Sequence, residues 1–297
     1  MYEEFYGFKE RPFSVTPDAR FFFPSSKHTE ALDSLYYAIT QRLGFVVITG
    51  EIGAGKTTVC RTLLKRLPAS AKVAMVNNTL VTGRHLLCAI LDEFELAAGD
   101  REPRWKLINR LNEFLIEALS HDENVVLVID EAQNLTPSVL EQVRLLSNLE
   151  TERAKLLQLI LLGQPELRQK LNLPGLAQLK QRVMVAYHLV PLNLQETLSY
   201  IQHRQTLAGA PTSAFTPKAV EVIYEYSKGV PRLINLACER ALLTGYADQV
   251  KLIEGTLMQQ VASELAVNHA GWSTEPPVAA KGAGLEEMLL SSGRRIG

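Results

Sequence analysis

The chain is short of the features that mark an exported or membrane-spanning protein. Its 297 residues include three cysteines, Cys60, Cys88 and Cys238, an odd number set far apart inside apolar helical patterns. That spacing offers neither a disulfide framework nor a metal or redox motif, so buried thiols in a reducing cytoplasm are expected. No run of about 18 consecutive apolar residues is present, so no stretch of it reads as a helix crossing a bilayer. The opening MYEEFYGFKERPF carries early acids and no long apolar core, and does not read as a secretory signal. An excess of one charge is also missing: 31 Lys and Arg against 32 Asp and Glu give a formal net charge of -1. No overall basic field draws the chain to nucleic acid or an anionic membrane, which leaves only local basic patches. The six histidines stand singly and form no ligand pair.

What the chain does have is alternation. Residues 1–27 are aromatic and proline-punctuated, without helical period, and are expected to pack as an arm on the first domain. A helix is expected over about 28–43, with Ala31, Leu35 and Ile39, or Leu32 and Ala38, at helical spacing. Short continuous apolar runs follow at 45–49, 72–76, 125–129, 156–162 and 183–189, separated by helical patterns at 57–67, 83–95, 103–120, about 136–149 and a short one from Pro165. Strands alternating with helices imply a parallel sheet covered on both faces. Beyond 192 the strand signals stop, and patterns at 194–208, 217–228, 231–246 and 253–267 read as helices. Thr136-Pro137 and Thr216-Pro217 each place an N-cap before a proline at the first helical position. The fold expected is therefore α/β, with a parallel-sheet domain over 1–192, a small all-helical domain over 193–267 and a flexible tail over 268–297. Within that tail LEEMLL offers Leu285, Met288 and Leu289 at helical spacing before Arg294 and Arg295, a short docking helix or a solvated end.

The chemistry is concentrated at strand ends. Gly50-Glu51-Ile52-Gly53-Ala54-Gly55-Lys56-Thr57, followed by Thr58, matches G-x-x-x-x-G-K-[ST] between a strand and a helix. The glycines let the backbone curl so that N–H groups face phosphate oxygens, Lys56 reaches the β- and γ-phosphates, and the Thr57 hydroxyl suits Mg²⁺. VVLVIDEAQNL ends a strand on Asp130, placed for the metal, and Glu131, placed to polarise a water. Paired with the loop, that Asp-Glu argues for nucleotide hydrolysis over simple phosphoryl transfer. The lack of an Asn-Lys-x-Asp motif favours ATP over GTP. Gln164 ends another strand, where it either orients water or simply caps the helix that Pro165 opens. Arg182, with Lys180 two residues before it, precedes the last strand and suits stabilisation of a transferring phosphoryl group, in its own subunit's site or a neighbour's; a surface arginine is the plainer reading. Arg232 opens a lid helix, the end at which the helix dipole disfavours a cation, so a phosphate contact is the better reason for it. Tyr36, Tyr37 and Phe21–Phe23 are expected in the core or beside the adenine.

These segments together resemble the AAA+ ATPases, and look most like the ExeA/GspA type associated with type II secretion, with relatives in pilus and polysaccharide export. The resemblance runs from residue 1 to about 267 and rests on the opening arm, GEIGAGKTT, LVIDEAQNL, LLGQPEL, QRVMVAYHLVPLNLQET and GVPRLINLACERAL. It implies an ATP-driven homo-oligomer using ATP/ADP and Mg²⁺, with Gln164 as first sensor, Arg232 as second and Arg182 near a trans-acting arginine. Members of the type often continue into a membrane helix and a cell-wall-binding domain. This chain turns polar instead, so a cytoplasmic ATPase that visits an envelope secretion or pilus complex is expected. Two rivals remain at this stage: a DNA-binding helper of transposition, and a low-turnover nucleotide switch.

Overall fold

Five apolar runs form the strands of one parallel sheet in the computed structural model, which describes residues 1–270 apart from positions 15, 17, 78, 80, 98, 100, 101, 153 and 211 and the side chains of 268–270. The strands are β1 (Phe45–Gly50), β2 (Lys72–Val76), β3 (Val125–Ile129), β4 (Leu157–Gly163) and β5 (Val185–Leu189). Their order across the sheet is β2-β3-β4-β1-β5. Helix α1 (Tyr2–Tyr6) lies in the arm and α2 (Ser26–Thr40) precedes the sheet. Between strands run α3 (Lys56–Arg66), α4 (Gly83–Glu93), α5 (Arg104–Ser120), α6 (Pro137–Leu146), α7 (Pro165–Leu171) and α8 (Ala177–Gln181). After β5 come α9 (Leu194–Leu207), α10 (Pro217–Ser227), α11 (Pro231–Ala247) and α12 (Gly255–Ala270). The tail motif around Leu285 lies outside the described residues.

The central strands are apolar at every position because both faces are covered. Successive side chains point to opposite faces. Val47, Leu127, Ile129, Leu159 and Leu161 meet α4–α8 on one side, whereas Val46, Ile48, Val126, Val128, Ile160 and Leu162 meet α2 and α3 on the other. Local signals fix where helices begin. Ser25, Thr82, Thr136 and Thr216 each accept a backbone N–H from the first turn of the following helix, and Asn193 with Glu196 forms a full capping box for α9.

The arm departs in part from expectation: Phe22 packs on the sheet domain, but the buried aromatics do not. Tyr2, Phe8, Phe13 and Phe21 are buried in one cluster with α9–α12, away from the sheet. The physical reason is size: so small a helical unit cannot enclose an adequate core, and the arm supplies the missing aromatic surface. Polar ties hold it there: Tyr2 Oη donates to Glu239 at 2.7 Å, Tyr6 Oη to the Val250 carbonyl at 2.7 Å, and Lys9 N–H to the Ala208 carbonyl at 2.7 Å. Tyr36 and Tyr37 also depart from expectation. The stripe Ala31, Leu32, Leu35, Ala38 and Ile39 buries one face of α2, which leaves the two tyrosines 38% and 61% exposed on the other.

Candidate functional site

Parallel register brings the carboxyl ends of three adjacent strands to one edge. Thr49 of β1 pairs with Gly163 of β4, and Ile129 of β3 with Leu161 of β4. The loop after Gly50, the Asp130-Glu131 pair and Gln164 therefore share a crevice beside the point where strand order reverses.

The glycine loop is fixed by backbone requirements. Gly53 and Gly55 have φ of 81° and 96°, left-handed values that strain any side-chain-bearing residue. A Cβ on Gly53 would also lie 2.4 Å from Cβ of Arg232, whose own N–H donates to the Gly53 carbonyl at 3.3 Å. The loop and the first turn of α11 thus touch directly. Lys56 is buried and donates through Nζ to the carbonyls of Gly50 and Glu51 at 2.8 and 3.0 Å. Burial pushes its pKa below the usual lysine value, against the pull of Glu131 and Asp130. Thr57 Oγ1 donates to Asp130 Oδ2 at 2.9 Å, and Asp130 Oδ1 accepts the Glu131 N–H at 2.8 Å. A hydroxyl and a carboxylate oxygen at this separation are the hard donors that Mg²⁺ takes alongside phosphate oxygens and water. Among the described residues no cluster of three His, Cys, Asp or Glu side chains could hold a metal unaided.

Glu131 is exposed, with a left-handed φ of 51°. Its Oε2 accepts from Gln164 Nε2 at 3.2 Å and from Gln133 Nε2 at 2.5 Å. Gln164 occupies the N-cap position of α7 yet makes no side-chain cap bond, so its amide is spent on Glu131 and not on the helix.

One cavity of about 350 Å³ joins these groups, a size suited to a small organic ligand. Ile52, Gly53, Gly55, Lys56, Thr57, Thr58, Glu131, Gln164 and Arg232 line one end. Sequence reasoning missed most of the remaining lining, Ser14, Asp18, Phe22, Phe23, Tyr200, Arg204 and Asn235, together with His28 beside the loop. Arg204 is buried there, donating to the carbonyls of Pro12 and Ser14 at 2.5 and 3.3 Å and to Tyr200 Oη at 2.9 Å. His28 bonds Ser25 Oγ through Nδ1 at 2.7 Å and faces the Ala54 carbonyl through Nε2 at 3.3 Å. The carbonyl can only accept, so Nε2 carries a proton, and burial pushes the ring's pKa below the usual histidine value. Its contact with the glycine loop had no sequence signal.

Arg182 and Lys180 are not brought into this cavity. Arg182 donates to the Ser147 carbonyl at 3.4 Å, near the start of β5, where Met184 N–H bonds the Phe45 carbonyl at the start of β1. The glycine loop leaves the opposite end of β1, roughly 17 Å of strand away. Cys60 and Cys238 are buried, and Cys88 is half-buried; burial pushes the Cys60 thiol up to about 12.

Comparison with known proteins follows the same lines. The AAA domain family matches residues 39–171. General secretion pathway protein A of Aeromonas hydrophila is 43% identical over 99% of this chain and 53% of its own length. The chain is an AAA-domain relative of General secretion pathway protein A. It spans about half the length of that curated relative. Among solved structures, Cdc6p from Pyrobaculum aerophilum superposes with a TM-score of 0.65 at 17% identity, over 82% of this chain and 67% of that one. The ORC2 protein of Aeropyrum pernix in its ADPNP–ADP complexes gives 0.64 at 17% identity, over 86% and 72%. At such identity these likenesses establish the AAA fold alone. No described helix of this AAA-domain chain is long and apolar enough to cross a membrane.

Proposed function

We propose that this chain binds ATP with Mg²⁺ and hydrolyses it at the interface between copies of itself, to drive an envelope secretion or pilus-type export complex. The convergence of Lys56, Thr57, Glu131, Gln164 and Arg232 on one cavity, with Asp130 bonded to Thr57 beside it, carries the reading. Residues 50–58 cradle the phosphates on backbone N–H groups, and Lys56 exchanges its carbonyl partners for β- and γ-phosphate oxygens. Thr57 and Asp130 would hold the metal, which would draw charge from the phosphate oxygens. A water attacks the γ-phosphorus, its proton passes to the Glu131 carboxylate, and the bond to the β-phosphate oxygen breaks to release ADP. Gln164 orients that water, and Arg232 approaches the phosphates from the first turn of α11. Residues 1–192 form the nucleotide-binding domain and 193–267 the lid, although the aromatic part of the arm belongs to the lid by its packing. The likeness to General secretion pathway protein A supports the secretion reading over a nucleic-acid partner, as does the near-neutral charge. The absence of a membrane-crossing helix among described residues fits work at the cytoplasmic side through partners.

Arg182 completes the site of a neighbouring copy, since its own chain keeps it at the far end of the sheet. Arg182→Ala should retain ATP binding and lose roughly 10³-fold in turnover. Mixing it with Lys56→Ala protein should restore phosphate release, because some interfaces then pair an intact pocket with an intact arginine. Mixed oligomers that form and yet recover nothing would refute the shared site.

A further inference from the structure

The segment after Glu131 holds a side chain that the proposed mechanism does not use. Gln133 is half-buried in the short turn Ala132–Asn134, and both ends of its amide are engaged. Nε2 donates to Glu131 Oε2 at 2.5 Å, while Oε1 accepts the backbone N–H of Gln164 at 3.1 Å. The orientation of this amide is unambiguous, because a carboxylate only accepts and a backbone N–H only donates. Flipping it would set oxygen against oxygen at one end and N–H against N–H at the other.

The surroundings fix the same residue twice more. Lys170 Nζ, from α7, donates to the carbonyl of Gln133 and, at 2.8 Å, to that of Leu135, so the turn cannot slide away from the sheet. A Cβ on Gly163 would come within 3.1 Å of Gln133 Oε1, so the bare strand end leaves the room this amide occupies. With Gln164 Nε2 also on Glu131 Oε2 at 3.2 Å, the bonds close a ring of Glu131, Gln133 and Gln164. Both donors meet one carboxylate oxygen, which leaves the other for a proton.

We propose that Gln133 is a positioning residue for hydrolysis: its amide holds the Glu131 carboxylate in register with the Gln164 turn. The inference rests on the reading of Glu131 as the base. An exposed glutamate on a turn would otherwise spread over several rotamers, and a base held out of reach of its water contributes little. The ring also lets a shift of the Gln164 turn, at the strand end next to the γ-phosphate, be felt at the base through one rigid side chain.

The test compares full-length Gln133→Met, nearly isosteric but without either bond, and Gln133→Glu, which keeps an acceptor for Gln164 and sets a like charge against Glu131. A positioning role predicts that Gln133→Met lowers kcat roughly 10- to 100-fold, a part of what a general base supplies, and that Gln133→Glu lowers it further. KM for ATP, affinity for a fluorescent ATP analogue and Tm should stay near wild type, which a merely structural role would not allow. In a Glu131→Gln background, Gln133→Met should cost nothing more, because there is no base left to place. Wild-type kcat in Gln133→Met, parallel losses in affinity and Tm, or an undiminished Gln133→Met effect in the Glu131→Gln background would each overturn the role of Gln133 alone. Wild-type turnover in Glu131→Gln itself would instead remove the base assignment, and this inference with it.

Discussion

The two ends of the cavity are built in different ways. The end proposed for phosphate comes from three strand tips and one contiguous loop, because cradling phosphate needs a run of backbone N–H groups and glycines at fixed spacing. The rest of the lining is assembled from the arm and two helices beyond the sheet, with Phe22, Arg204 and Asn235 far apart in sequence. One end is a local motif and the other a product of tertiary packing. Their energetics should separate accordingly, with ligand affinity concentrated at the first and folding energy at the second.

Lys56→Ala should show the contrast most strongly. Removing a charge-assisted contact to the phosphates is expected to weaken ATP binding roughly 100-fold or more. The fold should tolerate the change, since the two carbonyls that Lys56 satisfies can be met by water. Calorimetric titration beside a thermal melt reads both quantities.

Arg204→Met should do the reverse. It strips the Pro12 and Ser14 carbonyls and the Tyr200 hydroxyl of a buried donor, a loss of about 2–4 kcal/mol in stability. The arm should become open to proteases near its start, and urea unfolding with limited proteolysis would show it. Loss of ATP affinity with unchanged stability would reverse the assignment of roles.

The smallest effect is one of pH. Burial lowers the His28 pKa in the folded chain, so the unfolded chain binds the extra proton first as pH falls. Its contribution to stability is full above the unfolded value of about 6.5 and drains away below it, by at most ~1.4 kcal/mol per pH unit. His28→Gln should flatten that part of the stability profile between about pH 7 and 5. An unchanged slope would mean that His28 does not titrate in that range.

Much of the fold could be read in advance because both faces of the sheet are covered. That condition turned β1, β3 and β4 into unbroken apolar runs and set them apart from the helices, while Thr136-Pro137 and Thr216-Pro217 marked helix starts at the residues the structure uses. Strand order had no such signal, since β1 lies between β4 and β5 through packing that no local pattern encodes. The arm was placed only in part for a related reason, since Phe22 packs on the sheet domain but Tyr2, Phe8, Phe13 and Phe21 do not. Its aromatics announce burial but not against what, and the demand for a core in α9–α12 decided the partner. At the site, Lys56, Thr57, Asp130 and Glu131 were picked out by spacing alone, and the structure adds the bonds from Thr57 and the Glu131 N–H to Asp130. Gln133 and His28 bond neighbours distant in sequence, one at the end of β4 and the other in the glycine loop.

The central claim is that Glu131 acts on water beside a phosphate bound at the strand tips. It is tested most directly by measuring ATP binding and single-turnover phosphate release on the same preparation of Glu131→Gln protein. Glutamine keeps the shape and can still bond Gln164, but it cannot take a proton. Binding should match wild type while phosphate release falls roughly 10²–10⁴-fold. Phosphate release at the wild-type rate, with ATP bound normally, would contradict the assignment of the base and the hydrolytic mechanism built on it.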